Sequence, residues 1–179
     1  LRRGSSPSRM FATAVESARP FAIRFPRGAA RGVPLDPEPK PLEIGRGELL
    51  HDGDAVALVA IGSTVAPALE AAERLAAGGI RCSVVDARFA KPLDADLLER
   101  VAKRARAVGC VEDHVLAGGF GSGVLELLAE RAPGVPVLRL GLPFTGRDHD
   151  AHGGLGFRFL ADTDADSEYS FHIPPRGRV

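Results

Sequence analysis

Between Asp54 and Glu112 short apolar runs alternate with longer amphipathic ones. Asp54–Ile61 is almost entirely apolar and is closed by Gly62-Ser63-Thr64; Cys82–Asp86 and Ala107–Glu112 are two further runs of the same kind. Strands that are apolar throughout belong to sheets covered on both faces, which is what helical crossovers between parallel strands achieve. The intervening segments have helical spacing. The first places Val65, Leu69, Ala72 and Leu75 or Ala76 on one stripe, starts near Ser63 or Thr64 as N-cap with Pro67 in its first turn, and stops at Gly78-Gly79. The second starts at Asp94, after Pro92, and turns Leu97, Leu98, Val101 and Ala105 inward. The third runs from Ser122 to Arg131 with Val124, Leu125, Leu127 and Leu128 apolar, and Pro136–Leu142 reads as a fourth core strand. The predicted fold is α/β, in three layers, with a mostly parallel sheet flanked by helices.

The flanks read differently. Leu42–Leu50 is expected as an edge strand, and His51–Asp54 as the turn into the core. Met10–Ser17 fits the end of a helix broken by Pro20; Phe21–Phe25 reads as a short strand stopped by Pro26, with Arg27-Gly28 as a turn. Residues 29–41 hold Pro34, Pro37, Pro39 and Pro41, a density that favours extended, semi-rigid backbone. This makes 29–41 a linker between two domains, with residues 1–28 on one side and 42–143 on the other. Residues 1–9 and 144–179 carry no trustworthy periodicity and are expected to be poorly ordered.

Composition narrows the class. Hydrophobic residues make up 45% and charged residues 26%, ordinary values for a globular protein. No apolar run approaches the roughly 20 residues that span a bilayer. The basic start, Leu1-Arg2-Arg3, is not followed by an apolar segment, so the expectation is no membrane association and a cytoplasmic location. A first residue that is Leu, not Met, reads as a piece of a longer protein. The net charge of zero hides seven arginines and one acid, Glu16, within residues 1–31. Such a cluster suits an anionic small molecule, a nucleic acid or an acidic partner. Nucleic acid is disfavoured, since Trp is absent, Tyr occurs once and no aromatics interleave with the arginines. Cys82 and Cys110 both fall in predicted strands and read as buried small hydrophobes, too few for a disulfide scaffold or a zinc site.

Four features carry candidate chemistry. Gly118-Gly119-Phe120-Gly121-Ser122-Gly123 lies between a strand and a helix, where phosphates bind free N–H groups; it matches neither the P-loop nor the dinucleotide pattern, and close helix–sheet packing explains it better. His149 and His152, with Asp148 and Asp150, have the composition of a metal site without its spacing, and read as solvated loop residues. His114 follows Glu112-Asp113 at the carboxyl edge of a strand, where open parallel sheets bind ligands, although a structural or interface role fits it somewhat better. Arg27, held between Pro26 and Gly28, is presented for bidentate grip of a phosphate or carboxylate, and equally for a surface salt bridge.

Ile23-Arg-Phe-Pro-Arg-Gly28 resembles the Arg-Tyr-Pro-Arg-Gly element near the end of the pyrimidine-binding domain in the 1-deoxy-D-xylulose-5-phosphate synthase family. The likeness continues through Leu42–Gly47, Ala57–Gly62, Val84–Asp94, Val111–Gly123 and Pro136–Pro143. The resemblance implies a transketolase C-terminal-domain-like fold from 42 to 143, preceded by a remnant of the pyrimidine-binding domain. It implies a parent enzyme, a transferase of the transketolase type, that uses thiamine diphosphate and magnesium. That enzyme joins pyruvate to glyceraldehyde 3-phosphate with loss of carbon dioxide, feeding isoprenoid, thiamine and pyridoxal synthesis. Arg27 matches the family arginine that grips the phosphate of glyceraldehyde 3-phosphate; Arg24, on an alternating strand, is expected to point the other way.

The family's Gly-Asp-Gly…Asn motif for magnesium and diphosphate does not occur here, nor does its cofactor-activating glutamate. The chain alone is therefore expected to bind no cofactor and to be inactive, a scaffold and dimerisation domain whose partners are the missing amino-terminal domains and a second copy. After Pro143 the wording departs from the family pattern and no closing helix is evident, which predicts an uncovered apolar face. The equivalent domain of a 2-oxoacid dehydrogenase E1 β subunit and a standalone non-catalytic interaction module are the alternatives.

Overall fold

Five strands form one sheet in the order β1-β3-β2-β4-β5 in a computed structural model that describes residues 7–24 and 37–142. The elements are α1 (Pro7–Ser17), β1 (Glu48–His51), β2 (Val56–Ala60), α2 (Val65–Ala77), β3 (Cys82–Asp86), α3 (Ala95–Arg104), β4 (Val108–Val115), α4 (Phe120–Arg131) and β5 (Val137–Leu142). Pairs β2–β3, β2–β4 and β4–β5 are parallel; β1 closes one edge antiparallel to β3. The all-apolar strands are explained by where their alternate residues go. Ala57, Val59, Val85, Val108 and Cys110 pack under α3 and α4, while Leu58, Ala60, Cys82, Val84, Val111 and Leu140 pack under α2. Both faces are thus buried, and the three-layer α/β expectation holds.

Helix starts show which polar residues the fold needs. Asp94 caps α3: one carboxylate oxygen accepts from Leu97 N at 3.1 Å and the other from Gly47 N at 3.1 Å, tying the helix to the segment before β1. Asp94→Ala is expected to lower stability by about 1–2 kcal/mol, since it removes the cap and strands a half-buried N–H. Chemical denaturation measures this, and a change below a few tenths would count against the cap. Thr64 stands at the N-cap of α2, as expected, but its side chain makes no capping bond. A 3₁₀ turn, Gly62–Thr64, leads straight into the helix, and the Thr64 hydroxyl donates instead to the Val111 carbonyl at 2.8 Å, joining the ends of β2 and β4. The helix α4 begins at Phe120, two residues before the expected Ser122, for a reason given below.

Segment 21–24 is not a strand. Strand backbone persists only where a neighbour pairs its N–H and C=O groups, and no strand of the sheet pairs with 21–24. The segment is held by side chains: the Phe21 ring meets Phe89 edge-on, centroids 6.3 Å apart. Likewise Leu42 N donates to the buried Thr13 hydroxyl at 2.8 Å, and Arg9 Nε to the Lys40 carbonyl at 2.8 Å. Among the described residues several large apolar side chains are exposed. Phe11 and Val15 project from α1, and Leu138, on the α2 face of β5, is 58% exposed while Leu140 beside it is buried.

Candidate functional site at the carboxyl edge of the sheet

In a parallel sheet the carboxyl ends of the strands point to one rim, and a crevice opens where successive connections leave in opposite directions. Here β2 connects through α2 to β3 on one side, and β3 connects through α3 to β4 on the other side of β2. The crevice therefore lies between the ends of β2 and β4, bounded by Gly62–Thr64 and Glu112–His114.

This chain's own side chains occupy it. The Ser63 hydroxyl donates to Asp113 Oδ2 at 2.7 Å. Arg24 donates through Nη1 to Asp113 Oδ1 and through Nη2 to the Asp113 carbonyl at 3.0 Å. Partial burial pushes the Asp113 carboxyl up, but the Ser63 hydroxyl and the Arg24 guanidinium outweigh it and hold the group below its ordinary value. With the folded value depressed, the contact stabilises above the ordinary aspartate range near ~3.9 and is lost as pH falls through the lower folded value. Arg24 was expected to point the opposite way from Arg27 on an alternating strand; because 21–24 is not a strand, alternation does not set its direction.

Immediately beneath lies Glu112, 1% exposed. Its two oxygens accept from Phe120 N and Gly121 N, each at 2.8 Å. The glycine run is thus an anion cradle filled from within. A Cβ on Gly119 would overlap both the Glu112 carboxylate and the Val115 carbonyl, so the glycine there is required by close approach. Because the carboxylate satisfies the first N–H groups, the helix extends back to Phe120. Sequence reasoning missed Glu112; the available signal was an acid ending an apolar strand shortly before a glycine-rich helix start.

Arg88, at the end of β3, was also missed. It has φ of 58°, an uncommon conformation for a residue with a side chain. Its guanidinium pairs with Glu48 and is 13% exposed, with Nε buried and lacking a hydrogen-bond partner. His114 is exposed. The cysteines are buried as expected. Burial first, then the Glu112 carboxylate, push the Cys110 thiol up to about 12 against a smaller opposing effect of Arg139, and burial also raises Cys82; neither suits a nucleophile. Arg27, His149, His152, Asp148 and Asp150 lie outside the described residues. Among the described residues no group of three or more His, Cys, Asp or Glu is arranged to hold a metal.

The transketolase C-terminal domain family matches residues 45–160. The chain belongs to that family. The match runs past Pro143, where the wording was expected to part from the family. In 1-deoxy-D-xylulose-5-phosphate synthase 1 of Geobacter sulfurreducens, 135 residues align at 53% identity, covering 75% of this chain and 21% of the relative. In the synthase of Thermomicrobium roseum, 159 residues align at 49%, covering 88% and 25%. The chain therefore spans between a fifth and a quarter of these relatives' length, and its similarity is to the synthases. The dehydrogenase alternative gains nothing from them. A solved structure described as a split gene transketolase, inactive β4 tetramer, superposes with a TM-score of 0.56 at 39% identity, over 66% of this chain and 37% of that one.

Within the transketolase C-terminal domain, the start of α4 does not fit the diphosphate end of a thiamine cofactor. The helix N-terminus that would receive a diphosphate, that of α4, is already filled by the Glu112 carboxylate.

Proposed function

We propose that this chain is the carboxyl-terminal portion of a thiamine-diphosphate-dependent 1-deoxy-D-xylulose-5-phosphate synthase, and that it is inactive alone. The observation that carries the reading is identity near one half to synthases across three quarters of the chain. In this reading residues 1–28 are the end of the pyrimidine-binding domain, 29–41 the linker and 42 onward the C-terminal domain, whose family match runs to residue 160. The cofactor and magnesium belong to the missing amino-terminal domains, and pyruvate and glyceraldehyde 3-phosphate react there, in the cytoplasm. This chain's part is to scaffold, to dimerise and to supply Arg27 to the substrate phosphate. The exposed apolar side chains of Val15 and Leu138 are of the kind that absent domains or a second copy would cover. A related chain described as a split-gene transketolase and as an inactive tetramer supports a half that needs its complement.

The test is complementation. The chain is mixed with a separately expressed amino-terminal portion of a related synthase, pyruvate, glyceraldehyde 3-phosphate, thiamine diphosphate and magnesium, and the pentulose phosphate is followed. Product is expected from the mixture alone, and Arg27→Ala is expected to reduce kcat/KM for glyceraldehyde 3-phosphate by about 10–100-fold, the worth of a charged hydrogen-bonding pair. Turnover by the chain by itself, no turnover by the mixture, or an Arg27→Ala variant equal to the parent would each sink the proposal.

A further inference from the structure

The carboxyl rim of the sheet carries two receiving groups. Just past the end of β3 the chain reverses within three residues: Phe89 N donates to the Ala87 carbonyl at 2.5 Å, with Arg88 between them at φ of 58°. Such a turn is rare around a residue with a side chain, and it sets the Phe89 ring where Phe21 meets it edge-on. Just past the end of β4, Asp113 is a pre-oriented acceptor. Ser63 holds its Oδ2 at 2.7 Å, while Oδ1 and the main-chain carbonyl both accept from one guanidinium, that of Arg24. The strand between β3 and β4 is β2, so the two receiving groups stand two strand spacings apart, about 10 Å. Three residues of chain span at most about 11 Å. An aromatic residue and an arginine three positions later therefore reach both, and Phe21-Ala22-Ile23-Arg24 is such a segment. Ala22, between the two, is exposed.

We infer that this rim is a docking site for a peptide segment of the pattern aromatic-x-x-arginine, which the chain's own residues 21–24 fill in cis. Recognition has three parts. Phe89 takes the aromatic ring edge-on. The two acceptors of Asp113 read the planar fork of a guanidinium and not the point charge of an ammonium. The strand spacing sets the interval between the two prongs. Each contact is weak by itself: the Arg24 side chain is 60% exposed, and exposed pairs contribute little. Weak contacts suffice for a tethered occupant, because attachment within one chain supplies an effective concentration on the order of millimolar. The contacts are made by side chains and one carbonyl, with no need of covalent continuity, so the rim accepts the same segment in trans once the cis copy is removed.

The test vacates the rim and refills it. The 179-residue chain carrying Phe21→Ala and Arg24→Ala together is isotope-labelled and titrated with an amidated peptide of the sequence of residues 17–24, and amide chemical shifts are followed. Saturable shifts at Ser63, Phe89 and Asp113 are expected, with half-saturation on the order of 1 mM. The unsubstituted chain is expected to bind the peptide about tenfold more weakly, because its own segment competes. Peptides carrying Arg24→Lys or Phe21→Ala should each bind about fivefold more weakly or worse, and an Ala22→Ser peptide should bind as the parent does. No saturable shift, or equal binding of the Arg24→Lys peptide, overturns the site. A second measurement needs no vacated rim. Trypsin must take the Arg24 side chain into its own pocket, so its cut after Arg24 in the otherwise unsubstituted chain is expected to be about tenfold faster with Asp113→Ala, and faster to a smaller degree with Ser63→Ala. An unchanged rate of that cut overturns residues 21–24 as the occupant.

Discussion

Glu112→Ala is expected to lower the stability of the chain by about 4 kcal/mol, from the loss of a buried charge together with the groups it satisfies. The carboxylate is 1% exposed, and each of its oxygens accepts one helix N–H at 2.8 Å. Removing it leaves two donors at the start of α4 without acceptors, in a place water reaches poorly. It also empties the space that Gly119 leaves open, and it discards a negative charge at the positive end of a helix dipole. Glu112→Gln separates these effects. One amide oxygen can still accept, while the amide nitrogen faces an N–H that needs an acceptor, so about half the loss is expected. Urea unfolding followed by circular dichroism gives both values, with an unchanged m-value showing that the native state is otherwise intact. If alanine costs less than about 1 kcal/mol, the glycine run is mere packing and the internal cradle is not what starts α4.

This residue also marks where sequence reasoning stops. The strands were legible because each apolar run was uninterrupted and each amphipathic segment had one stripe, and Asp94 was legible because its cap partner lies three positions ahead. Glu112 was not, because its partners are main-chain groups eight and nine positions on, brought near only when α4 folds back on β4. The glycine run does mark a close approach, as its composition suggests, although what approaches is a carboxylate as well as the sheet. Residues 21–24, the described part of the expected Phe21–Phe25 strand, are not a strand, for the complementary reason. Their local pattern was permissive, but none of the five strands pairs with them, so side-chain contacts hold them instead. Those contacts aim Arg24 at Asp113, a pairing across 89 positions that no local pattern encodes. The resemblance reached further than periodicity did, since it identified the family, but it set Arg24 aside and did not single out Ser63 or Asp113.

Gly53→Ala is expected to cost about 3 kcal/mol, at the upper end of ordinary overpacking. The turn from β1 to β2 lies flat on the start of β3: Gly53 N donates to the Ser83 hydroxyl at 3.1 Å, and that hydroxyl donates back to the Gly53 carbonyl at 2.6 Å. A Cβ there would stand 2.6 Å from the carbonyl carbons of both Arg81 and Cys82. These are backbone atoms in a buried position and cannot swing aside. To admit the methyl, the turn must lift from Ser83, which breaks both hydrogen bonds, or β3 must shift, which disturbs the Ala55 N to Arg81 carbonyl bond and the pairing of Val56 with Cys82. Gly79→Ala is the right comparison, because Gly79 has φ of 82° and a methyl added there would meet nothing within 4 Å. Its substitution should cost about 1 kcal/mol through backbone conformation alone. The two variants, measured side by side by denaturation, distinguish steric approach from conformational freedom. A Gly53→Ala variant no less stable than Gly79→Ala would mean that the turn is free to lift, and that the double hydrogen bond through Ser83 does not fix β1 and β2 on β3.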